Sequence, residues 1–278
     1  MKILITGASG MLGYDLWQVL STEHILLYGV GRGDCPDFIA HDNWYKIDLT
    51  DAPTTYQMIT KINPELVIHT AALTDVDACE IYPEKAYLIN ALATRNVALA
   101  CQRFDASMLY FSTDYIFDGE KGTPYREDDL GNPINVYGKT KYNGEFYVRH
   151  LLNKFYIVRS AWLFGKRRKN FVSDITEKMV STQQTNEPVN QQTIRVVADQ
   201  IGSPTYTNDL AQAIKELIKT NLYGVYHLSN SGSCSRYELA KEIVNLVNPK
   251  VPRLEIVPIS GKELEGHALR PKYSVLEN

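Results

Sequence analysis

A tyrosine and a lysine four residues apart, Tyr137 and Lys141, follow an apolar run that ends in the hydroxyl of Thr113. Residues at i and i+4 share one face of a helix. A strand-end hydroxyl opposite them would let Thr113 and Tyr137 both donate hydrogen bonds to one carbonyl oxygen. Because a phenol has a pKa of about 10, we expect the Lys141 cation to lower the pKa of Tyr137 and make it a better acid. This is the chemistry of carbonyl reduction.

The same tyrosine–lysine spacing occurs again at Tyr237 and Lys241. The residue at the position corresponding to Thr113 is Ala213, so no strand-end hydroxyl precedes this second pair. Short spacing motifs recur by chance, and the apolar residues around Tyr237 follow an ordinary amphipathic helix pattern. We therefore interpret the second pair as structural.

The first residues of the chain predict a phosphate site. The β-branched run 2–6 breaks at Gly7-Ala-Ser-Gly10-Met-Leu-Gly13, ahead of a helix expected at 11–20. Glycines let a backbone approach a pyrophosphate, and the amides that open a helix present the positive end of its dipole. The Gly-x-x-Gly-x-x-Gly spacing is that of short-chain dehydrogenases. A glycine turn without a ligand is the alternative interpretation.

Strand and helix patterns alternate along the chain and predict an α/β fold. The expected strands after 2–6 are 25–30, 66–69, 108–112, 156–159 and 224–228, and the expected helices are 11–20, 53–62, 84–103 and 138–152. This alternation indicates a doubly wound parallel sheet of the Rossmann type with a smaller C-terminal substrate-binding lobe. We assign residues 1–162 to a dinucleotide-binding domain, to which 194–228 returns, and 163–193 and 229–278 to the lobe.

Composition excludes several classes of protein. With 44% hydrophobic and 22% charged residues, the chain has ordinary globular usage rather than that of a disordered protein. A net charge of −3 argues against nucleic-acid binding, and no apolar run reaches the roughly 18 residues of a membrane span. Without a cleavable signal, the prediction is a cytoplasmic enzyme. The four cysteines show no zinc spacing and are expected to be buried or free thiols.

Two stretches depart from this regularity. The polar segment 181–193 has no periodicity and predicts a surface loop or hairpin insertion. The basic run Lys166-Arg-Arg-Lys169 fits either a solvated loop or a contact with the diphosphate of a substrate, and both interpretations stay open.

Taken together, the motifs resemble the dTDP-4-dehydrorhamnose reductases, a family of extended short-chain dehydrogenase/reductases. The resemblance covers nearly the whole chain and rests on the segments 7–13, 71–77, 112–119, 135–145, 158–162, 196–205 and 270–274. It implies NAD(P)H-dependent reduction of the C4 ketone of dTDP-6-deoxy-L-lyxo-4-hexulose, also called dTDP-4-dehydro-6-deoxy-L-mannose. The product would be dTDP-L-rhamnose, an activated sugar.

The resemblance also implies roles for individual residues. Thr113, Tyr137 and Lys141 would form the catalytic set, with Tyr137 as general acid and Lys141 also holding the nicotinamide ribose. Thr113, Asp114 and Trp162 would face the sugar nucleotide. Besides Tyr137 and Lys141, the cofactor-binding residues would be Gly7, Gly10, Met11, Leu12, Asp48, Leu49, Ala72, Leu73, Thr74 and Phe111.

The chain departs from the family pattern at three points. Arg32 follows the second strand where an NAD-specific enzyme carries an acidic residue for the ribose 2′-hydroxyl, so Arg32 predicts NADPH, with NADH possible if Asp34 reaches the ribose. Arg236 follows Cys234-Ser235, where the family often has an aromatic residue. The sequence ends at Asn278, whereas family members usually continue through another helical stretch, so we expect a missing tail.

Two alternative functions remain at this point. A reductase of another nucleotide-linked 4-keto sugar would use the same fold and catalytic residues. A non-catalytic regulatory subunit, like the β subunit of methionine adenosyltransferase, would share the fold, but the intact Thr113, Tyr137 and Lys141 favour an enzyme. The sequence leaves open a monomer or a homodimer. A Mg²⁺ ion also stays open, since the resemblance implies that some family members dimerise around one, whereas this sequence shows no metal-ligand spacing.

Overall fold

The computed structural model describes residues 1–22, 24–183, 192–247, 254–263 and 266–278. The strands are β1 (Lys2–Thr6), β2 (Leu26–Gly31), β3 (Trp44–Lys46), β4 (Leu66–His69), β5 (Ser107–Thr113), β6 (Phe155–Ser160), β7 (Leu163–Phe164), β8 (Gln192–Val197), β9 (Ile201–Gly202), β10 (Thr205–Tyr206), β11 (Gly224–His227), β12 (Cys234–Ser235) and β13 (Leu254–Ile259). The α-helices are α1 (Met11–Leu20), α2 (Ala52–Ile62), α3 (Val76–Ile81), α4 (Pro83–Tyr87), α5 (Ala93–Arg103), α6 (Val136–Leu151), α7 (Phe171–Gln183), α8 (Thr207–Leu217) and α9 (Arg236–Val247).

A seven-stranded parallel sheet forms the centre, in the order β11-β6-β5-β4-β1-β2-β3. The chain builds outward from β1 to β3 and then returns to place β4 on the other side of β1. Ligands of doubly wound sheets bind at such a reversal of strand order, beyond the carboxyl ends of the strands. The predicted doubly wound parallel sheet is confirmed, and its reversal lies between β1 and β4.

Helices cover both faces of the sheet because the strands are apolar on both sides. Leu4 and Ile5 of β1 are both fully buried, and successive side chains of a strand point to opposite faces. Ile5 packs in a cluster with residues of α1 and α8, whereas Leu4 packs in a cluster with residues of α2, α5 and α6. The sheet is therefore buried between two helical layers.

A smaller cluster of elements lies outside the sheet. Strands β8 and β13 pair in parallel, and α7 and α9 pack against each other with Ile175, Met179, Ile194 and Ile243 in their shared core. Strand β11, in contrast, joins the large sheet beside β6. The domain boundaries assigned from the sequence stay a prediction.

Several sequence expectations need correction. The helix expected over 84–103 is interrupted by a π-helical turn, Leu88–Leu92, between α4 and α5. The short strand β3 was not predicted. The expectation of a loop over 181–193 is wrong at its ends, since α7 continues through Gln183 and β8 begins at Gln192. Residues 184–191 of that segment lie outside the described residues.

The described residues contain no helix long and apolar enough to span a membrane. Within the same ranges, no group of three or more His, Cys, Asp or Glu side chains is arranged to hold a metal ion. All four cysteines are free thiols, as expected, and Cys79 and Cys101 are buried.

Candidate active site

The glycine turn after β1 is packed too tightly for side chains. Gly7 has φ of 65°, and a Cβ there would lie 2.9 Å from the Cα of Ala71. A Cβ on Gly13 would lie 2.4 Å from the carbonyl oxygen of Gly7. No side chain caps the first turn of α1, which starts at Met11 directly after Gly10. The opening amides of α1 are therefore available to an anionic ligand such as a pyrophosphate.

Hydrogen bonds connect the carboxyl ends of β1 and β4 at the reversal of strand order. The Thr6 hydroxyl donates to Nδ1 of His69 at 2.8 Å and accepts from the amide of Ala71 at 3.2 Å. Nε2 of His69 lies 3.0 Å from the hydroxyl of Thr94, which itself donates to a backbone carbonyl, so Nε2 carries the proton. Burial lowers the pKa of His69 to about 3, which keeps the ring neutral. These hydrogen bonds hold Ala71, the first residue of the segment from Ala71 to Thr74, beside Gly7.

Thr113 and Asp114 form a buried hydrogen-bonded pair at the end of β5. The Thr113 hydroxyl donates to Oδ1 of Asp114 at 3.0 Å and accepts from the amide of Tyr115 at 3.2 Å. The Ser274 hydroxyl donates to Oδ2 of the same carboxyl group. Burial raises the pKa of Asp114 to about 6, against the opposing effect of these hydrogen bonds and of the charge of Arg236.

The first turn of α6 brings Tyr137 to this strand end. The side chain of Asn135 accepts from the amide of Gly138 at 2.7 Å and so caps α6. A Cβ on Gly138 would lie 2.1 Å from the carbonyl oxygen of Tyr115, so only glycine permits this close approach. As a result, the rings of Tyr137 and Tyr115 meet edge to face with centroids 6.0 Å apart. Tyr137 is close enough to Thr113 for that hydroxyl to affect its pKa.

Lys141 lies one turn further along α6 and is buried, with 4% of its surface exposed. Its Nζ is 4.3 Å from the ring centroid of Tyr110 on β5. Burial lowers the pKa of Lys141 to about 7, and the Glu145 carboxylate opposes that shift. Glu145 is itself held by Arg159 through hydrogen bonds of 3.0 and 2.9 Å.

We expected the Lys141 cation to lower the pKa of Tyr137, but the structure shows the opposite shift. Burial raises the pKa of Tyr137 above its ordinary value, and the Thr113 hydroxyl only partly opposes this. Desolvation of the buried phenol is the largest effect on its pKa, and the spacing of Tyr137 and Lys141 does not reveal it. A tyrosine with a raised pKa keeps its proton at neutral pH, and a proton donor needs that form.

Asn90 is a site residue that sequence reasoning missed. Its Oδ1 accepts from the amide of Leu73 at 2.7 Å, and its Nδ2 donates to the carbonyl of Leu73 and to the hydroxyl of Thr140, both at 3.0 Å. The Thr140 hydroxyl in turn donates to the carbonyl of Tyr137 at 2.8 Å. Asn90 therefore ties the expected cofactor segment Ala72-Leu73-Thr74 to α6. It lies in the π-helical turn, which apolar periodicity does not reveal.

The residues expected to lie near the adenosine half of the dinucleotide cofactor follow β2 and β3. Arg32 is exposed just beyond β2, and the Asp34 carboxylate pairs with Nζ of Lys46 at 2.9 Å. Lys46 ends the unpredicted strand β3 and lies in register with Gly31. Asp48 and Leu49 follow two residues later, Asp48 exposed and Leu49 buried. Because β3 pairs with β2, which pairs with β1, these residues lie along the same edge of the sheet as the glycine turn.

The basic run 166–169 lies against the glycine turn. The guanidinium of Arg167 pairs with Asp37 at 3.0 Å and lies 4.7 Å from the ring centroid of Tyr14 on α1. Arg168 donates to the carbonyl of Ser9 at 3.4 Å. The structure therefore places these two arginines on the expected cofactor side rather than beside Thr113 and Asp114.

Phe111 and Trp162 complete the set predicted from the sequence. Phe111 is buried on β5, two residues before Thr113. Trp162 follows β6 with φ of 46°, an uncommon value for a residue with a side chain. Its ring lies against Gly202, where a Cβ would come within 2.6 Å of Cε2. All predicted site residues thus fall along the carboxyl edge of the sheet, and their individual roles stay predictions.

Comparison with known proteins agrees with this arrangement. The family model described as "RmlD substrate binding domain" matches residues 1–278. A dTDP-4-dehydrorhamnose reductase from Streptomyces griseus is 36% identical over 99% of this chain and 84% of its own. A dTDP-4-keto-6-deoxy-D-glucose reductase from Streptomyces niveus is 35% identical over 98% of this chain and 87% of its own.

A solved structure supports the same assignment. The dTDP-4-dehydrorhamnose reductase from Bacillus anthracis str. Ames, in complex with NADP, is 40% identical with a TM-score of 0.87, covering 99% of this chain and 90% of that one. The similarity in fold, length and sequence extends over both the sheet and the lobe. The chain therefore belongs to the RmlD family, together with these dTDP-4-dehydrorhamnose reductases.

Proposed function

We propose that this protein reduces the C4 ketone of dTDP-6-deoxy-L-lyxo-4-hexulose to dTDP-L-rhamnose, with NADPH as the hydride donor. The observation that carries the proposal is the placement of Thr113, Tyr137 and Lys141 at the end of β5 and on the facing turns of α6, beside the strand reversal. Similarity to the dTDP-4-dehydrorhamnose reductases supports the choice of substrate.

The residues at the strand reversal fit a dinucleotide. The uncapped start of α1 offers amides to a pyrophosphate, and the glycines of the turn leave no side chain between backbone and ligand. The hydrogen bonds of Thr6 and His69, together with the contacts of Asn90, hold the neighbouring segment Ala72-Leu73-Thr74 in place. A bound nicotinamide supplies the hydride chemistry.

The protein's own contribution is to orient the ketone and supply a proton. Tyr137 donates a hydrogen bond to the ketone oxygen, and the Thr113 hydroxyl does the same once its proton turns away from the Asp114 carboxylate. Tyr137 transfers its proton as that oxygen gains negative charge. These donors stabilise the developing charge more than the neutral ketone, which is how they lower the barrier. Lys141 holds the nicotinamide ribose and contributes positive charge below its pKa of about 7.

NADPH is the proposed donor because of the charges at the end of β2. In the described part of the chain, no carboxylate lies within ion-pair distance of Arg32, so its guanidinium is open to a 2′-phosphate. The Asp34 carboxylate, which could otherwise bind the ribose, is engaged by Lys46. The relative from Bacillus anthracis is in complex with NADP. NADH is then the weaker donor.

The second candidate function is reduction of a different dTDP-linked 4-keto sugar. The relative from Streptomyces niveus, named for dTDP-4-keto-6-deoxy-D-glucose, is nearly as similar as the dTDP-4-dehydrorhamnose reductase from Streptomyces griseus. Thr113, Tyr137 and Lys141 would act in the same way on either ketone. A cytoplasmic location, monomer or homodimer state and a Mg²⁺ requirement stay predictions or open questions from the sequence.

The test is to follow NADPH oxidation with each sugar nucleotide in turn and to identify the product by NMR. Faster oxidation with dTDP-6-deoxy-L-lyxo-4-hexulose, giving dTDP-L-rhamnose, supports the proposal. Faster oxidation with dTDP-4-keto-6-deoxy-D-glucose would transfer the assignment to the second candidate. Tight NADPH binding without oxidation in the presence of either sugar would favour a regulatory subunit.

A further inference from the structure

Arg236 is stacked on the ring of Trp162. The guanidinium carbon lies 3.7 Å from the Trp162 ring centroid and 5.1 Å from that of Phe171. Strand pairing produces this contact, because β12, which directly precedes Arg236, pairs with β9, whose Gly202 contacts Trp162. A planar guanidinium lying on an aromatic face is held in one orientation, with its N–H groups directed outward at the edge of the plane.

The positive charge of Arg236 has no close counter-ion. Within the ranges that the structure describes, no carboxylate lies within ion-pair distance of its guanidinium. The nearby carboxylate of Asp114 already accepts hydrogen bonds from Thr113 and Ser274. The Arg270 guanidinium, in contrast, pairs with Asp77. A largely desolvated cation is costly without a partner, so an arginine in this setting indicates an anionic ligand.

The position of Arg236 fits one particular part of the substrate. Arg236 lies close enough to Tyr115 for its charge to oppose the rise in the pKa of that phenol on burial, and the ring centroids of Tyr115 and Tyr137 are 6.0 Å apart. In a 4-keto hexose nucleotide the ketone and the diphosphate sit at opposite corners of the sugar ring, on C4 and C1. A cation that binds the diphosphate must therefore lie about one sugar ring from the proton donor. Arg236 is separated from Tyr137 by one aromatic side chain.

We propose that Arg236 binds the diphosphate of the sugar nucleotide and that Trp162 holds its guanidinium in the orientation needed for this contact. The residue thereby discriminates nucleoside diphosphates from uncharged nucleosides. Arg167 and Arg168 do not compete for this role, since they lie against α1 and the glycine turn, and Lys169 pairs with Glu177. The identity of the sugar rests on the proposed function, but the diphosphate site does not.

The test compares the binding of nucleoside diphosphates and nucleosides to NADPH-bound protein. The ligands are dTDP, UDP and GDP, each beside its own nucleoside, and the proteins are the parent, Arg236→Gln, Arg236→Lys and Arg195→Gln. Arg195 is a matched control because it is an exposed arginine on β8, in the same small cluster of elements as α9, and pairs with Glu263. Circular dichroism checks that each variant is folded.

Arg236→Gln should weaken binding of the preferred diphosphate by about 10- to 100-fold, the effect of losing a charge-assisted hydrogen bond, and leave nucleoside binding unchanged. Arg236→Lys should lose less, because it keeps the charge without the planar stack. Arg195→Gln should bind like the parent. Equal losses for diphosphate and nucleoside, an unchanged diphosphate affinity, or no binding of any of the three diphosphates to the parent would overturn the proposal.

Turnover gives a second readout. With the sugar nucleotide as substrate, Arg236→Gln should raise KM by a similar factor and change kcat by less than about threefold, because a diphosphate contact is made equally in the ground and transition states. A fall in kcat at constant KM would indicate a structural effect on the catalytic residues instead. If the parent reduces neither sugar, the proposed function fails, while selective loss of diphosphate binding still supports the site.

Discussion

The two tyrosine–lysine pairs of this chain have the same spacing and different surroundings. Lys141 is buried against the ring of Tyr110, and Tyr137 lies beside the Thr113 hydroxyl at the end of a sheet strand. Lys241 is exposed and lies 5.3 Å from the ring centroid of its own partner Tyr237, on a helix that packs against α7 and β8. The first pair faces other functional groups, whereas in the second Tyr237 packs against the apolar core of the lobe and the Lys241 ammonium lies near the Tyr237 ring.

The difference comes from what each helix packs against. Helix α6 packs on the sheet, where strand ends bring residues distant in sequence to one edge. Helix α9 contributes Ala240 and Ile243 to the core of the lobe and leaves Lys241 in solvent. A tyrosine–lysine spacing can act in catalysis only when its helix packs where other functional groups lie close to both side chains.

The strongest test of the comparison removes the phenol of each pair. Tyr137→Phe keeps the ring but removes the proton donor, so turnover should fall by about 10²- to 10⁴-fold with NADPH binding little changed. The measurement is kcat with the sugar nucleotide, alongside a fluorescence titration of NADPH. Turnover within a factor of a few of the parent would mean that another group supplies the proton.

Replacing each lysine should separate the pairs by the pH dependence of stability. In the unfolded chain a lysine has a pKa of about 10.4, whereas burial lowers the pKa of Lys141 in the folded protein to about 7. Between these values the unfolded chain binds more protons, so the Lys141 contribution favours folding increasingly as pH rises from about 7 toward about 10. Lys141→Met lacks this contribution. Its stability relative to the parent should therefore be highest at about pH 6 and fall by a few kcal/mol toward about pH 10.

Urea unfolding without added nucleotide, at several pH values, measures this difference. Lys241→Met is the matched control, because Lys241 is exposed and its replacement should change stability by an amount that does not depend on pH. A constant difference for Lys141→Met would show that Lys141 remains charged in the folded protein across this range. The assumed desolvation would then be wrong.

Sequence patterns located the parts of the site that depend on local structure. The run before Gly7 and the run before Thr113 are apolar enough to identify buried strands, and the expected α6 differs from the observed helix by two residues at its start and one at its end. Because the sheet is parallel, strand ends share one edge, so convergence of the glycine turn with Thr113 followed from topology alone.

The remaining parts of the site depend on contacts that periodicity cannot show. Asn90 acts from a π-helical turn within an expected regular helix, and its partners Leu73 and Thr140 are distant in sequence. The pairing of Lys46 with Asp34 requires β3, which is three residues long. The raised pKa of Tyr137 depends on how fully the packed protein excludes water, which the order of residues does not state.

The preference for NADPH over NADH tests whether the binding site that contains Tyr137 and Lys141 extends along the sheet edge to Arg32, at the end of β2. Arg32→Ala removes the proposed contact with the 2′-phosphate. A charge-assisted hydrogen bond contributes about 1.5–3 kcal/mol, and since Arg32 is exposed we expect the low end, about a 10-fold fall in the preference for NADPH over NADH. The measurement is kcat/KM with both cofactors.

The matched control for that variant is Arg103→Ala. Arg103 is also exposed, but it ends α5 just before β5 begins and so lies toward the opposite edge of the sheet. It should leave the cofactor preference unchanged. If Arg32→Ala leaves the NADPH/NADH ratio as it was, Arg32 does not contact the 2′-phosphate.

The smallest expected effect is at the second pair itself. Tyr237→Phe, Lys241→Met and the double variant should each keep turnover within about twofold of the parent, because nothing on α9 at these positions reaches the end of β5. The contact of the exposed Lys241 ammonium with the Tyr237 ring is worth about 0.5–1 kcal/mol, so a double-mutant cycle on the free energy of unfolding should give a coupling of that size or less. A loss of turnover comparable to that of Tyr137→Phe would contradict the comparison, because the isolated pair would then contribute to catalysis without a strand-end hydroxyl beside it.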